Sequence, residues 1–340
     1  TLIDKQRDHY VHSVNVFLLG IYIFQSNEHY KRIFEEYSQK HKYEGAFSGD
    51  TEEFFFQWGI AALFHDIGYP VEITNNQLKK FIAYVVDYGN VKKSSDVKPY
   101  IGYKNYQELC RIPISEERAE KYKKWMADGF NPLDSIDLLS YTLANAFSLD
   151  YKGMQSELSN YVGSMQNSGF VDHGFYSALI VMRWYAHFSQ ESNMPSDLFY
   201  YPILTSSSAI LLHNYYKNVL IKPPHSLPPM SARLHPIAYM LILCDELQEW
   251  NREAYGILDK QRILAADSNL IVSDQKISVH YITYEGTLSE DFPAKKAADL
   301  NKLLNFKEIF GGDITVTATT KTDLYMSCMA RNEVTLLPRP

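Results

Sequence analysis

Six side chains in this 340-residue chain combine useful chemistry with awkward placement: His12, His65, Asp66, His173, His213 and Asp245. Imidazole and carboxylate donors together suit a divalent transition metal. Each falls on the apolar stripe of a predicted helix. His12 shares its stripe with Val16, Leu19 and Ile23, and His65-Asp66 follows an inward face of Phe55, Trp58, Ala61 and Ala62. His173 aligns with Ile180 and Trp184, His213 follows Ala209 and Ile210, and Asp245 follows Ala238, Leu241 and Ile242. An ionised carboxylate in such surroundings is costly unless it is paired or metal-bound. A single inward His is most often a satisfied core residue, and an inward Asp is usually a cap or an ion-pair partner. Six such groups on five helices would each need a buried partner, whereas one shared metal site satisfies them all.

The elements that must position them are helical over most of the chain. Apolar periodicity predicts helices over 8–26, 28–40 and Thr51–Ile67, with Thr51 as N-cap and Gly68 and Pro70 as a stop. A loop at Tyr43–Asp50 separates the second and third. Helices follow over 72–90, 115–129, 134–148, 153–165, 172–190, 205–220 and 232–257, with a polar connection at Gly89–Gly102. Those at 115–129 and 134–148 read as solvent-facing. After Ala266 the texture changes: LIVSDQKISVHYITY alternates like two strands around a turn at Ser273–Lys276. A helix over 293–306 opens with Pro293, and ITVTATT is a further strand. The fold class is therefore mainly α. A helical domain over 1–265 contains a helical insert at 72–165, and a small ββαβ appendage occupies 266–340.

Composition narrows the partners. A formal charge of −7 with no Lys/Arg block argues against a long nucleic acid, whose binding rests on phosphate contacts. Cys110, Cys244 and Cys328 have no CxxC spacing, so a zinc knuckle or disulfide framework is not expected and a cytoplasmic setting fits. The longest apolar run, Val16–Phe24, is far short of the ~20 residues of a membrane helix. A homo-oligomer is compatible with these totals.

The segments DHYVHS (8–13), AALFHDIGYP (61–70), DHG followed by SA (172–178), AILLHN (209–214) and LILCDELQEW (241–250) together resemble the HD superfamily of metal-dependent phosphohydrolases. The order H…HD…H…H…D is similar to its two-metal branch, and the resemblance spans about 8–255. It implies an HD-domain helical bundle. It also implies two divalent ions (Mn, Fe, Ni, Co or Mg), one held by His12, His65, Asp66 and Asp245. The second would be shared through Asp66 and held by His173 and His213. Ions about 3.5–4 Å apart can share a hydroxide and hydrolyse a phosphodiester or phosphomonoester without a protein nucleophile. Asp66 would thus be central to catalysis. The chain departs from many relatives in three places. Tyr69 stands where HDIGK has Lys, 106 residues separate Asp66 from His173, and His9 replaces an Arg common in the triphosphohydrolase branch.

His9 has two readings: a phosphate contact or general acid one turn before His12, or a polar helix-start residue in solvent. Tyr69, Gln248 and Arg252 are candidate substrate contacts, and Trp250, Tyr215 and Tyr216 could stack on a base. Arg7, Lys217 and Arg233 are by default surface cations, and His235 reads as structural. The expected substrate is a small, nucleotide-like phosphoester. Two alternatives stay open: an HD-type nuclease, or a metal-bound regulatory module without turnover. The metal reading also sets a geometric requirement: Asp245 must lie within about 8 Å of Asp66, since ligand atoms sit ~2.0–2.2 Å from their ion.

Overall fold

A computed structural model describes residues 6–7, 9–40, 47, 51–86, 116, 119–120, 135–168, 170–192, 198–249, 254–255, 265–284 and 289–321. The protein is mainly helical with a small C-terminal sheet. In chain order, β1 (Gln6–Arg7) precedes α1 (His9–Ser26), α2 (Glu28–Lys40), α3 (Thr51–Phe64) and α4 (Tyr69–Val86). Then come α5 (Ser135–Phe147), α6 (Tyr151–Ser168), α7 (His173–Glu191) and α8 (Tyr200–Tyr215), the last running into a π-helical turn over Tyr216–Leu220. α9 (Pro236–Leu247) and β2 (Ala254–Tyr255) close the helical part. β3 (Ala265–Ser273), β4 (Lys276–Tyr284), α10 (Phe292–Leu303), α11 (Lys307–Phe310) and β5 (Thr315–Lys321) complete the described chain.

α8 is the axle. It is buried on every side and packs against α3, α5, α7 and α9. Its TSSS segment, 205–208, keeps the contact surfaces small, and each polar group there needs an internal acceptor. Ser206 Oγ donates to Pro202 O at 2.7 Å. Ser208 Oγ donates to Thr205 O at 2.9 Å and lies 2.8 Å from His235 Nε2. Because His235 Nδ1 accepts from the Ala238 amide, its proton sits on Nε2 and goes to Ser208. His235 is thus the buried N-cap of α9, as its sequence position suggests.

α1 packs closely on α3 at Gly20. A Cβ on Gly20 would stand 2.1 Å from the Trp58 indole. Trp58 is fully buried and donates from Nε1 to Phe17 O at 2.9 Å, so the ring has no room to yield.

The C-terminal sheet has three strands, with α10 and the short α11, rather than one helix, between β4 and β5. β3 and β4 pair antiparallel around the turn closed by Ser273↔Lys276, and β5 adds parallel to β4 after α10. It is fastened to the helices by specific bonds. Asn27 donates to Ser273 O and Ile309 O, and Tyr281 OH donates to Leu247 O at 2.8 Å. Met230 and Leu303–Asn305 exchange backbone bonds. One apolar cluster continues from the helices into the sheet.

Several boundaries differ from the sequence reading. α3 stops at Phe64, and Pro70 lies in the first turn of α4, where a missing N–H costs nothing, rather than acting as a stop. α9 ends at Leu247, not near 257, because Gln248 leaves helical geometry at ψ 86°. The expected solvent-facing helix at 134–148 is a core element. Ile136, Leu138, Leu139, Leu143 and Phe147 of α5 are all buried, so its polar-looking Ser and Asp positions are enclosed as well. The predicted helix at 115–129, the loop at Tyr43–Asp50 and the connection at Gly89–Gly102 fall almost wholly outside the described residues. No described helix is long and apolar enough to cross a membrane.

Gly20→Ala weighs two effects against each other. Ala favours a helix interior by ~1 kcal/mol, but the steric clash with a locked indole costs about 1–3 kcal/mol or more. The variant is expected to be less stable, with a lower urea midpoint at unchanged m-value. A midpoint equal to or above that of the parent protein would contradict the close approach.

Candidate metal centre

The six residues converge. His12 lies on α1, His65 and Asp66 in the turn between α3 and α4, His173 at the start of α7, His213 near the end of α8, and Asp245 on α9. Ligand atoms of His12, His65 and Asp245 lie within 4.8 Å of one another, and so do those of Asp66, His173 and His213. Both carboxylates stand close to one nitrogen, His65 Nε2, with Asp66 Oδ1 at 3.5 Å and Asp245 Oδ1 at 3.9 Å. That meets the distance requirement set by the sequence. The two groups adjoin through Asp66, whose Oδ1 is also 3.3 Å from His173 Nε2 while its Oδ2 is 3.8 Å from His12 Nε2.

Local structure explains why these rings face inward. His65 Nδ1 lies 2.8 Å from Ala62 O, and His213 Nδ1 bonds to Ile210 O; in each case the carbonyl belongs to the residue three earlier. A carbonyl oxygen only accepts, so both δ-nitrogens carry the proton. His12 Nδ1 donates to Gln248 Oε1 at 2.6 Å, and His173 Nδ1 donates to Glu72 Oε2 at 2.6 Å. All four ε-nitrogens are therefore turned to the centre. They meet in pairs, His12 with His65 at 3.3 Å and His173 with His213 at 3.2 Å. Two lone pairs at such distances repel unless a proton or a cation lies between them. This donor set, buried and oriented by its outer partners, fits divalent metal.

Two glycines make the approach possible. A Cβ on Gly68 would stand 2.5 Å from His173 O and 2.8 Å from Ser177 N. Without one, the turn after Asp66 lies against the start of α7, where the Gly68 amide donates to Ser177 Oγ at 2.8 Å. A Cβ on Gly174 would stand 2.7 Å from the His213 ring. Asp172 caps α7 by accepting from the Phe175 amide and from Tyr161 OH, and Asn214 donates to it beside the His173 ring.

The electrostatics follow from this crowding. Burial favours a neutral Asp66, but His65, His173 and His9 outweigh it and hold the carboxyl well below its usual range. Burial drives His65 down to about 4 against the pull of Asp66 and Asp245. Burial also opposes charge on His173, yet its bonds to Asp66 and Glu72 win and raise it to about 10. His213 is lowered by burial and by the charge of His173. Before any cation binds, the centre thus favours an ionised Asp66 against a protonated His173, beside the His65 and His213 rings that burial holds toward the neutral form.

The remaining candidates divide. His9 is in the site rather than in solvent: Nδ1 lies 2.8 Å from Asp66 Oδ2, and its buried Nε2 has no hydrogen-bond partner among the described residues. Tyr69 packs on the His9 ring at 3.8 Å and near His173 at 5.3 Å. Gln248 is fully buried behind His12, so it orients that ring from the far side instead of lining the approach to the centre. Tyr215 and Tyr216 are core residues bonded to Glu157 and Pro228 O, unable to stack on a base. Lys217 pairs with Glu246, and Arg233 with Glu36 and Glu308. Arg252 and Trp250 lie outside the described residues, as do 87–115, 117–118 and 121–134 of the proposed wall between Asp66 and His173. Glu72, Asp172, Ser177 and Asn214 were not singled out by the sequence. Glu72 is one turn past Tyr69 on α4, a spacing that places both on one helix face. No family model, no curated protein and no solved structure matches the chain.

The tautomers are testable directly. Long-range ¹H–¹⁵N spectra of the metal-free protein are expected to show the proton on Nδ1 of His65 and His213. Protonation of either ring at Nε2 alone would contradict the inward orientation of the donors.

Proposed function

We propose that this protein is a binuclear metal-dependent phosphohydrolase of the HD type, acting on a small nucleotide-like phosphoester. The observation that carries the reading is the convergence of His12, His65, Asp66, His173, His213 and Asp245, each imidazole turned inward by a bond to its δ-nitrogen. His12, His65, Asp245 and Asp66 would hold one divalent ion; Asp66, His173 and His213 would hold the other. When bound, two such ions supply Lewis-acid charge to a phosphoryl group and make a water molecule acidic at neutral pH.

The chain's own residues do the rest. Asp66 faces both donor sets, so it fixes their separation. His173 must surrender to solvent or to a neighbour the Nε2 proton it shares with Asp66 before it serves as a ligand. His9 is held by Asp66 through Nδ1, which leaves Nε2 as the atom that meets the phosphoryl group or the leaving oxygen. Donation from Nε2 requires the imidazolium form, with Asp66 as its counter-charge, and general-acid catalysis of this kind contributes about 10²–10⁴-fold. Tyr69 steadies the His9 ring and offers an apolar face beside the phosphate position.

The small substrate class is favoured by charge. A chain of net charge −7 repels a polyanion at long range, and HDIGYP lacks the Lys that would follow the dipeptide to bind a triphosphate. Loaded with Mn²⁺, the full chain is expected to turn over cyclic mono- or dinucleotides or nucleoside monophosphates. Asp66→Ala should abolish that turnover with loss of bound metal, while His9→Gln should lower kcat by about 10²–10⁴-fold with the cations retained. Cleavage of single-stranded DNA with no turnover of any mono- or dinucleotide would overturn the substrate class in favour of a nuclease. Full activity in Asp66→Ala would overturn the metal mechanism.

A further inference from the structure

The four imidazoles of the centre are not backed alike. His12 rests on the amide oxygen of Gln248, His65 on the carbonyl of Ala62 and His213 on the carbonyl of Ile210, all neutral acceptors. His173 alone rests on a carboxylate, Glu72 Oε2 at 2.6 Å. The difference falls where charge is scarce. Asp245 lies with the first donor set, 3.0 Å from His12 Nε2. The second set has Asp66 as its carboxylate, and that group is also engaged by His9 and approached by His12 and His65. A carboxylate accepting the Nδ1 proton pushes electron density toward Nε2 and makes the ring a stronger donor.

The geometry points to Glu72 as the positioning residue of the second cation site: it makes His173 the stronger donor that offsets the carboxylate this site shares. The inference rests on the binuclear reading and deepens it. α4 delivers the contact from its first turn, and Tyr69, one turn earlier, packs edge-on against the same His173 ring. The Gly68 amide, bonded to Ser177 Oγ, fixes the start of α4 against α7. The ring is therefore held at its edge and at its δ-nitrogen by one helix and positioned by a second. The two cation sites differ accordingly: the first is built on ligand carboxylates with neutral support, the second on a shared carboxylate with charged support.

The test is Mn²⁺ binding to chelator-treated full-length protein, followed by calorimetry and by electron paramagnetic resonance. The parent protein is expected to take up two ions and give the spectrum of a coupled Mn²⁺ pair. Glu72→Gln should weaken one of the two affinities by about 10–100-fold, leave the other within twofold, and yield a mononuclear spectrum at limiting Mn²⁺. Its spectrum should match that of His173→Ala and differ from that of Gln248→Leu, which backs the first site. Glu72→Asp keeps the charge and is expected to retain more of the weakened affinity than Glu72→Gln; failure to do so would overturn a role based on charge. Two unchanged affinities, or an equal loss at both sites, would overturn the assignment of Glu72 while leaving the binuclear reading intact. A parent protein that binds no coupled pair would remove that reading and the inference together.

Discussion

Two pairs of imidazole ε-nitrogens, facing each other at 3.2–3.3 Å inside a helical core, set the terms for the rest of the structure. Neutral nitrogens at that distance repel, and the carboxylates among them are costly to bury without a counter-charge. In the metal-free protein the strain is relieved in part by protonating His173 against Asp66 and Glu72. Divalent cations would relieve it more completely, because a positive charge answers every donor at once. An apolar core of the same shape would be easier to build. That the chain concentrates these groups at one point, and orients each from behind, is why we assign the centre a chemical role.

The framework serves that point. α8 is buried on all sides and carries His213 toward its end, so any slip of this helix moves that ring. Gly68 and Gly174 remove the Cβ atoms that would separate the turn after Asp66 from α7 and α7 from the His213 ring. The C-terminal sheet anchors the other side. Tyr281 OH donates to Leu247 O at the end of α9, and Lys296 on α10 reaches Glu246 and Glu249. Burial opposes the charge on Lys296, but the two glutamates outweigh it and raise its pKa. These contacts fix the chain just after Asp245 and immediately before and after Gln248, the residue that orients His12. The small sheet thus bears on the cluster through the end of α9 without contributing one of its six donors.

The six donors were legible in the sequence because polar groups on apolar stripes violate the helical pattern, and a violation repeated on five helices has few common causes. The strands were legible because their period changes from helical to alternating. Other features depend on contacts between distant segments and leave no local mark. The burial of α5 comes from packing against α6 and α8, which its own polar residues conceal. Tyr215 and Tyr216 looked available for a base because of their proximity to His213 in sequence, yet successive helical residues point in different directions and both enter the core. Gln248 was placed near the substrate by counting one turn from Asp245, but α9 ends before that turn closes and the amide lies behind His12. Glu72 escaped notice because an acidic residue in a first helical turn is ordinary.

The central claim is that two cations occupy one centre between these residues, and anomalous diffraction from crystals soaked in Mn²⁺ addresses it most directly. The expected result is two peaks about 3.5–4 Å apart, one among His12, His65 and Asp245 and one among His173 and His213, with Asp66 between them. A map in which all six side chains keep their places and no anomalous peak appears among them would contradict the account.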